Sequence, residues 1–163
     1  MSAGRRDAHG RAERRSGGAA MDAAPHWSFL AGKRIIDLSV LLPGPYATVL
    51  LADLGADVVK VEPPQGDLTR FNPRRFAAFN RNKRSVALDL TDPGDLARAR
   101  ELVAGADIVV ENFRAGTMEK LGLGYDDVRA VRPDVIYCSI TGFGRAQGAD
   151  LPGYDLLLQA VGG

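Results

Sequence analysis

The sequence predicts an α/β fold in which helices cover both faces of a parallel sheet, a Rossmann-like architecture. Short apolar, β-branched runs alternate with helical segments along most of the chain. Each run is almost continuously apolar, which is typical of parallel strands buried on both faces. Glycines, prolines and capping residues separate the runs. With 163 residues, of which 45% are hydrophobic, the chain has the size and composition of about one globular domain.

The elements follow in order. Strands are predicted over residues 34–40, 57–62, 85–90, 108–112 and 135–140. The first helix, residues 45–54, begins with a proline and is followed by Gly55. The next helix runs from Pro93 to Ala104, with capping residues before it and Gly105 after it. Further helices are predicted near residues 117–121, 126–131 and 156–161.

Residues 1–26 are rich in Arg, Gly and Ala and have almost no large apolar side chain, which predicts a disordered tail. The folded part is expected over residues 27–163. The two histidines, His9 and His26, lie in the tail, so the folded part has no histidine. This excludes Ser-His-Asp and Cys-His catalysis and a His-bearing zinc site, and no metal is expected.

The net charge of +1 gives no reason to expect a nucleic-acid or membrane partner. The sequence contains no run of 18 apolar residues, so no membrane span is predicted. The single cysteine, Cys138, cannot form an internal disulfide, which fits a reducing cytoplasm. Because it lies in an apolar strand, Cys138 is predicted to be buried.

Ligands of open α/β sheets bind beyond the carboxyl ends of the strands. That rule selects the turns at residues 41–45, 62–67, 90–93, 112–116 and 141–144. The first of these turns has one glycine instead of the G-x-G-x-x-G pattern of dinucleotide sites, and the chain has no P-loop motif.

Residues 70–84 contain six cations and no acid, with Phe71, Phe76 and Phe79 among them. Three interpretations remain open from composition. The segment is a solvated loop whose phenylalanines pack on the core, a site for a small phosphorylated ligand, or a site for single-stranded nucleic acid.

Several sequence strings occur together and in one order: IIDLSVLLPGPYAT, LADLGADVVKVEPPQGD, FNRNKRSVALDL, ADIVVENFRAGTMEKLGLGYDDV, RPDVIYCSITGFG and PGYDLLLQAVGG. From about Gly32 to Gly163 the chain closely resembles the N-terminal part of the class III, CaiB/BaiF-type coenzyme A (CoA) transferases. The resemblance implies an incomplete Rossmann-like domain, acyl-CoA and a carboxylic acid as substrates, and an interlocked homodimer in the full-length protein.

The resemblance also implies roles for particular residues. It places the adenosine of CoA along Leu88, Asp89, Leu90 and Thr91, and further CoA contacts at Asn112, Phe113, Arg114 and Lys120. It places Leu42 and Pro43 near the thioester. Leu42 replaces a glutamine of some members, and Pro63 replaces an arginine, so acyl and phosphate recognition are expected to differ in detail.

In the family an aspartate attacks the thioester and forms a mixed anhydride, and CoA thiolate departs. The resemblance implies that this aspartate lies beyond Gly163, so the chain is expected to be a fragment that is inactive alone. Tyr154 is expected beside the active site, and Asp155 matches its neighbour instead of the nucleophile. Two alternatives are an α-methylacyl-CoA racemase, which carries a histidine base at the position of Tyr154, and a non-catalytic CoA-binding module.

Overall fold

A computed structural model of the chain describes residues 28–144, 146, 148–149 and 151–162. The predicted tail, residues 1–26, lies outside the described residues. Five strands form one sheet in the order β3-β2-β1-β4-β5. They are β1 Arg34–Asp37, β2 Asp57–Glu62, β3 Lys83–Ala87, β4 Ile108–Glu111 and β5 Ile136–Ser139. Every neighbouring pair is parallel, so the predicted α/β, Rossmann-like fold is confirmed.

Helices pack on both faces of this sheet. They are α1 Pro43–Asp53, α2 Pro73–Asn80, α3 Pro93–Ala104, α4 Thr117–Lys120, α5 Tyr125–Val131 and α6 Asp155–Gly162. On one face, Ala52 of α1 packs with Ile35 and Val58. On the other, Val103 of α3 and Val128 of α5 pack against the alternate residues of the same strands. The period of two along the strands therefore divides the core into two layers. No helix in the described part of the chain is long and apolar enough to cross a bilayer.

The local signals were strongest at β2 and α3, and both elements have the predicted ends. Asp92 caps α3, because its carboxylate accepts hydrogen bonds from the Gly94 and Asp95 amides at 2.9 and 3.0 Å. Pro93 occupies the first turn, where it has no hydrogen bond to lose. Gly105 follows the last residue and donates to carbonyls of the final turn.

Four of the five strands differ from their predicted bounds. β1 ends at Asp37 instead of residue 40, and β3 covers Lys83–Ala87 instead of residues 85–90. β4 ends one residue earlier than predicted, at Glu111, and β5 is one residue shorter at each end. β3 begins at Lys83 because that residue pairs with Val58 of β2. The first residues of this strand were not predicted because they are charged, and a buried lysine is not expected in a strand of a parallel sheet.

Two helices that were not predicted lie within residues 68–80, separated by the extended residue Asn72. A 3-10 helix spans Leu68–Phe71, and α2 follows it. Asn72 caps α2 by accepting from the Arg75 amide, and Pro73 begins the helix. The interpretation of this segment as a loop is therefore wrong. The Asn-Pro sequence that begins α2 was not recognised as a helix start, because the neighbouring cations pointed to a ligand site.

The prediction that Cys138 is buried is also wrong. β5 lies at the edge of the sheet, and on the side of Cys138 the described helices leave it uncovered. Ile136, two residues earlier and on the same face, is 62% exposed. An apolar strand sequence is thus no evidence of burial at a sheet edge.

Candidate functional site

The five turns selected from the sequence lie at one edge of the sheet. Each follows the carboxyl end of a strand, and all five strands run in the same direction. The ends of β1 and β4 are neighbours at this edge, and β5 lies next to β4. The expectation that these turns share one edge is therefore confirmed.

A cleft of about 210 Å³ opens where the ends of β1, β4 and β5 meet. Pro43 from the start of α1 lines it together with three consecutive residues after β4, Asn112, Phe113 and Arg114. The opposite wall comes from residues 140–144 and from Leu158 of α6. The cleft thus combines apolar walls, glycine-rich backbone and a guanidinium group, a composition that suits an anionic ligand with an apolar part.

Asn112 joins the two turns at the centre of the edge. Its Oδ1 accepts from the Val40 amide at 2.8 Å, and its Nδ2 donates to the Val40 carbonyl at 2.9 Å. This reciprocal pair fixes the chain after β1 to the chain after β4. The side chain predicted to contact a ligand is therefore engaged in shaping the cleft.

Phe113 and Arg114 have different surroundings. The Phe113 amide donates to the buried Glu111 carboxylate at 2.8 Å, and the half-buried ring packs against the core. Arg114 lines the cleft, and no carboxylate among the described residues forms an ion pair with it. Arg114 is thus a cation at the cleft that is available to an anionic ligand.

The turn after β3 lies farther along the same edge. Leu88 is buried in the core, while the Asp89 carboxylate accepts from the Thr91 amide and hydroxyl at 2.9 and 2.6 Å. These bonds hold the pKa of Asp89 below its usual value. Leu90 packs at the margin of the core. Three strand spacings, about 14 Å, separate this turn from the end of β4, so only an elongated ligand could contact both.

The remaining predicted site residues lie at the surface. Leu42 is 42% and Tyr154 63% exposed, and Lys120 ends α4 with its side chain in solvent. Asp155 is the first residue of α6, and its carboxylate accepts from Gln159 at 2.9 Å. The described contact of Asp155 thus lies within its own helix.

The cations of residues 70–84 are mostly paired with acids. Four ion pairs join them to the sheet and α1: Arg70 with Glu62, Arg81 with Asp53, Lys83 with Asp37 and Arg84 with Asp57. Arg70 also stacks over the Phe76 ring at 3.9 Å. Four of the six cations are thus paired with acids of the chain itself. Arg74 and Arg75 are exposed.

A buried polar network lies under α1 and was not predicted. Asp37 is fully buried, and its Oδ2 accepts from Thr48 Oγ1 at 2.6 Å and from Lys83 Nζ at 2.9 Å. Lys60, also buried, lies 3.1 Å from the Asp67 carboxylate. Burial lowers the pKa of Lys83, although Asp37 opposes that effect.

Glu62, at the end of β2, belongs to the same polar layer. Burial alone would raise its pKa, but hydrogen bonds from Arg70, Ser85 and the Asp67 amide outweigh it and lower the pKa to about 2 from 4.5. Arg70 donates to both carboxylate oxygens, at 2.6 and 2.7 Å. Such a bidentate pair is stronger than a neutral hydrogen bond.

This shift predicts a pH-dependent contribution to stability. Since the folded pKa is depressed, the contribution is complete above pH 4.5, amounts to roughly 3 kcal/mol, and is lost as the pH falls toward 2. Urea unfolding of the wild type and Glu62→Gln between pH 7 and 3 should show a stability gap that narrows at the acid end. A gap that stays constant with pH would contradict the assignment.

Two glycines bring the walls of the cleft together. A Cβ on Gly142 would lie 2.6 Å from the Gly153 Cα, so the two backbones touch. Gly142→Ala is therefore expected to separate the segments, to enlarge the cleft and to lower the melting temperature. Gly162→Ala is the control, because a Cβ there meets nothing within 4 Å. Equal melting temperatures for the two variants in thermal unfolding would show that this contact is unimportant.

Comparison with known proteins identifies the family. The model of CoA-transferase family III matches residues 30–163. The chain belongs to this family. The resemblance drawn from the sequence strings is thereby confirmed. In the described residues, no three His, Cys, Asp or Glu side chains are grouped to hold a metal ion.

Relatives with named activities include a succinyl-CoA:mesaconate CoA-transferase of Haloarcula hispanica, 48% identical over 147 residues, and a succinate–glutarate CoA-transferase of Agrobacterium fabrum, 43% identical over 150 residues. The aligned regions cover 80% and 82% of this chain but 37% and 38% of those proteins. A CaiB/BaiF family protein from Brucella suis has a TM-score of 0.79 and 42% identity, over 83% of this chain and 39% of its own. The chain therefore spans little more than a third of these relatives.

Proposed function

We propose that this chain forms the CoA-binding part of an enzyme that moves CoA from an acyl-CoA thioester to a carboxylic acid. Membership of CoA-transferase family III supports the reaction class. The observation that carries the proposal is the cleft at the ends of β1, β4 and β5, where Arg114 lines the cavity and forms no ion pair with an acid among the described residues. CoA has anionic phosphates and a long, partly apolar arm, which such a cleft suits.

The second contact region proposed for CoA is the turn of Leu88, Asp89, Leu90 and Thr91. It lies on the same edge as the cleft, and the distance between the two favours an elongated ligand. Thr91 is exposed just before α3, and we place the adenosine end of CoA against this surface. Lys120 is proposed as a further charge partner.

We propose that the attacking carboxylate is not supplied by the described cleft. None of the described residues that line it is an aspartate or a glutamate. Asp155 is hydrogen-bonded to Gln159 of its own helix. In this proposal the chain alone binds CoA without turnover, the complete enzyme is a cytoplasmic homodimer, and the mixed anhydride forms on an aspartate outside residues 1–163.

Calorimetric titration of the 163-residue chain with CoA tests the binding role. The wild type should bind, and Arg114→Ala should bind about tenfold more weakly, since a hydrogen bond to a charged group is lost. The matched control is Arg129→Ala on α5, which lies outside the cleft. Absence of binding to the wild type would overturn the proposal.

An activity assay tests the proposal that the attacking carboxylate is not in the described cleft. The chain is mixed with an acyl-CoA and a free carboxylic acid, and the new thioester is followed by chromatography. No transfer above the uncatalysed rate is expected. Turnover by the purified chain would contradict the proposal that the nucleophile lies elsewhere.

A further inference from the structure

Residues 39–45, which comprise the turn after β1 and the first three residues of α1, have a firmly held base and are called the β1–α1 turn. Two buried lysines donate to its carbonyls from different strands. Lys60 Nζ lies 2.8 Å from the Ser39 carbonyl, and Lys83 Nζ lies 2.9 Å from the Pro45 carbonyl. One ammonium group thus holds each end of the turn.

Four further contacts complete this base. The Ser39 amide donates to Asp37 Oδ1 at 3.0 Å, and the Ser39 hydroxyl donates to the same oxygen. Val40 is held on both its amide and its carbonyl by Asn112. Every hydrogen-bonding group of the main chain at residues 39 and 40 is therefore engaged.

The tip of the turn is strained and exposed. Leu41 has a φ of 65°, in the left-handed region that a bulky side chain rarely adopts, and its side chain is 40% exposed. Leu42 is similarly exposed, and Pro43 lines the cleft. A residue stays in such a conformation where the surrounding structure determines it.

Placing two lysines in the buried space under this turn is energetically unfavourable. Burying an ammonium group costs several kcal/mol before its partners compensate, and apolar side chains of similar volume are often as stable. Both lysines are 1% exposed and have strand positions that face the core. Their carbonyl contacts indicate a purpose other than packing, since those contacts lie on either side of Pro43, which lines the cleft.

We propose that Lys83 is a positioning residue, which holds residues 39–45 in the ligand-ready conformation before CoA arrives, with Asp37 orienting its ammonium group and Lys60 holding the other end of the turn. This role rests on the proposed CoA-binding function. Lys83 has three acceptors, the Asp37 carboxylate, the Pro45 carbonyl and Asn80 Oδ1, all within 3.0 Å. Its removal takes a donor from Pro45 in the first turn of α1, two residues after Pro43, which lines the cleft.

The test compares Lys83→Met with Val103→Ala, a core variant on the opposite face of the sheet. In the full chain, amide exchange at Val40 and calorimetric CoA affinity are measured at a temperature where both variants are folded. Lys83→Met should speed exchange at Val40 and weaken CoA binding about tenfold. This is the loss expected if only about a tenth of the molecules have the turn in the binding-competent conformation. Val103→Ala should change the affinity less than about twofold.

A double variant separates positioning from stability. Asp37→Asn with Lys83→Met removes both buried charges, so it should recover part of the stability lost in Lys83→Met. It should not recover CoA affinity, because the contact of Lys83 with the Pro45 carbonyl is still absent. Recovery of both properties would overturn the proposal, as would unchanged exchange at Val40 in Lys83→Met. A wild type that fails to bind CoA refutes the proposed function, while exchange at Val40 still decides whether Lys83 holds the turn.

Discussion

Gly44→Ala is expected to destabilise the chain by roughly 3 kcal/mol or more, an unusually large effect for the addition of one methyl group. A Cβ at this position would lie 2.1 Å from both Cβ and Oγ of Ser39. Ser39 cannot move aside, because it is fully buried and its hydroxyl and amide both bond to Asp37. The clash would displace α1 from the sheet or break the polar network below it.

Chemical unfolding of Gly44→Ala measures this effect, and α3 offers a matched control. Gly94 also follows a proline in the first turn of its helix, but a Cβ there meets only the Asp92 carboxylate, at 3.1 Å. Gly94→Ala should change stability by no more than about 1 kcal/mol. Ser39→Gly should rescue part of the loss in Gly44→Ala. If the two glycine variants are equally stable, the close packing of α1 on Ser39 is wrong.

Asp37→Ala is expected to cost roughly 3–5 kcal/mol, the usual result of removing one partner of a buried ion pair. It would leave the Lys83 ammonium buried without its carboxylate. The Thr48 hydroxyl and the Ser39 amide would lose their acceptor as well. Asp53→Ala is the control, because the pair of Asp53 with Arg81 is partly exposed and such pairs contribute less than about 1 kcal/mol.

The loss in Asp37→Ala should depend on pH. Burial already lowers the pKa of Lys83 below 10.5, and removal of Asp37 takes away the charge that opposes this effect. The folded variant then releases the proton at lower pH than the unfolded chain does, so its stability rises with pH relative to the wild type. Urea unfolding at pH 7 and 9.5 should show a smaller deficit at the higher pH. A deficit that grows with pH would contradict the assignment of Lys83 as the stranded charge.

The elements that the sequence predicts well are those whose signals lie within a few neighbouring residues. β2 and α3 were predicted with their observed ends because apolar runs and an Asp-Pro start define them within a few residues. α2 has the same kind of start, Asn72 before Pro73, but the surrounding arginines suggested a ligand site. Their acidic partners are distant in sequence, as Asp57 is from Arg84, so composition alone could not reveal the pairing.

The candidate site likewise has features that the sequence predicts and others that depend on contacts between distant residues. The edge of the sheet was predictable, since parallel strands place their carboxyl ends together. The internal roles of its residues were not, because Asn112 and Val40 lie 72 positions apart, and Asp37 and Lys83 lie 46 apart. Only the fold brings these pairs together, and they determine the shape of the first turn.

The most direct test of the account is an NMR titration of the isotopically labelled chain with CoA, followed through backbone amide shifts. We expect saturable shifts at the turns after β1, β3 and β4 and in residues 141–144, all at the carboxyl ends of the strands. Shifts confined to α2, or no saturable shifts at millimolar CoA, would contradict the claim that this edge binds CoA.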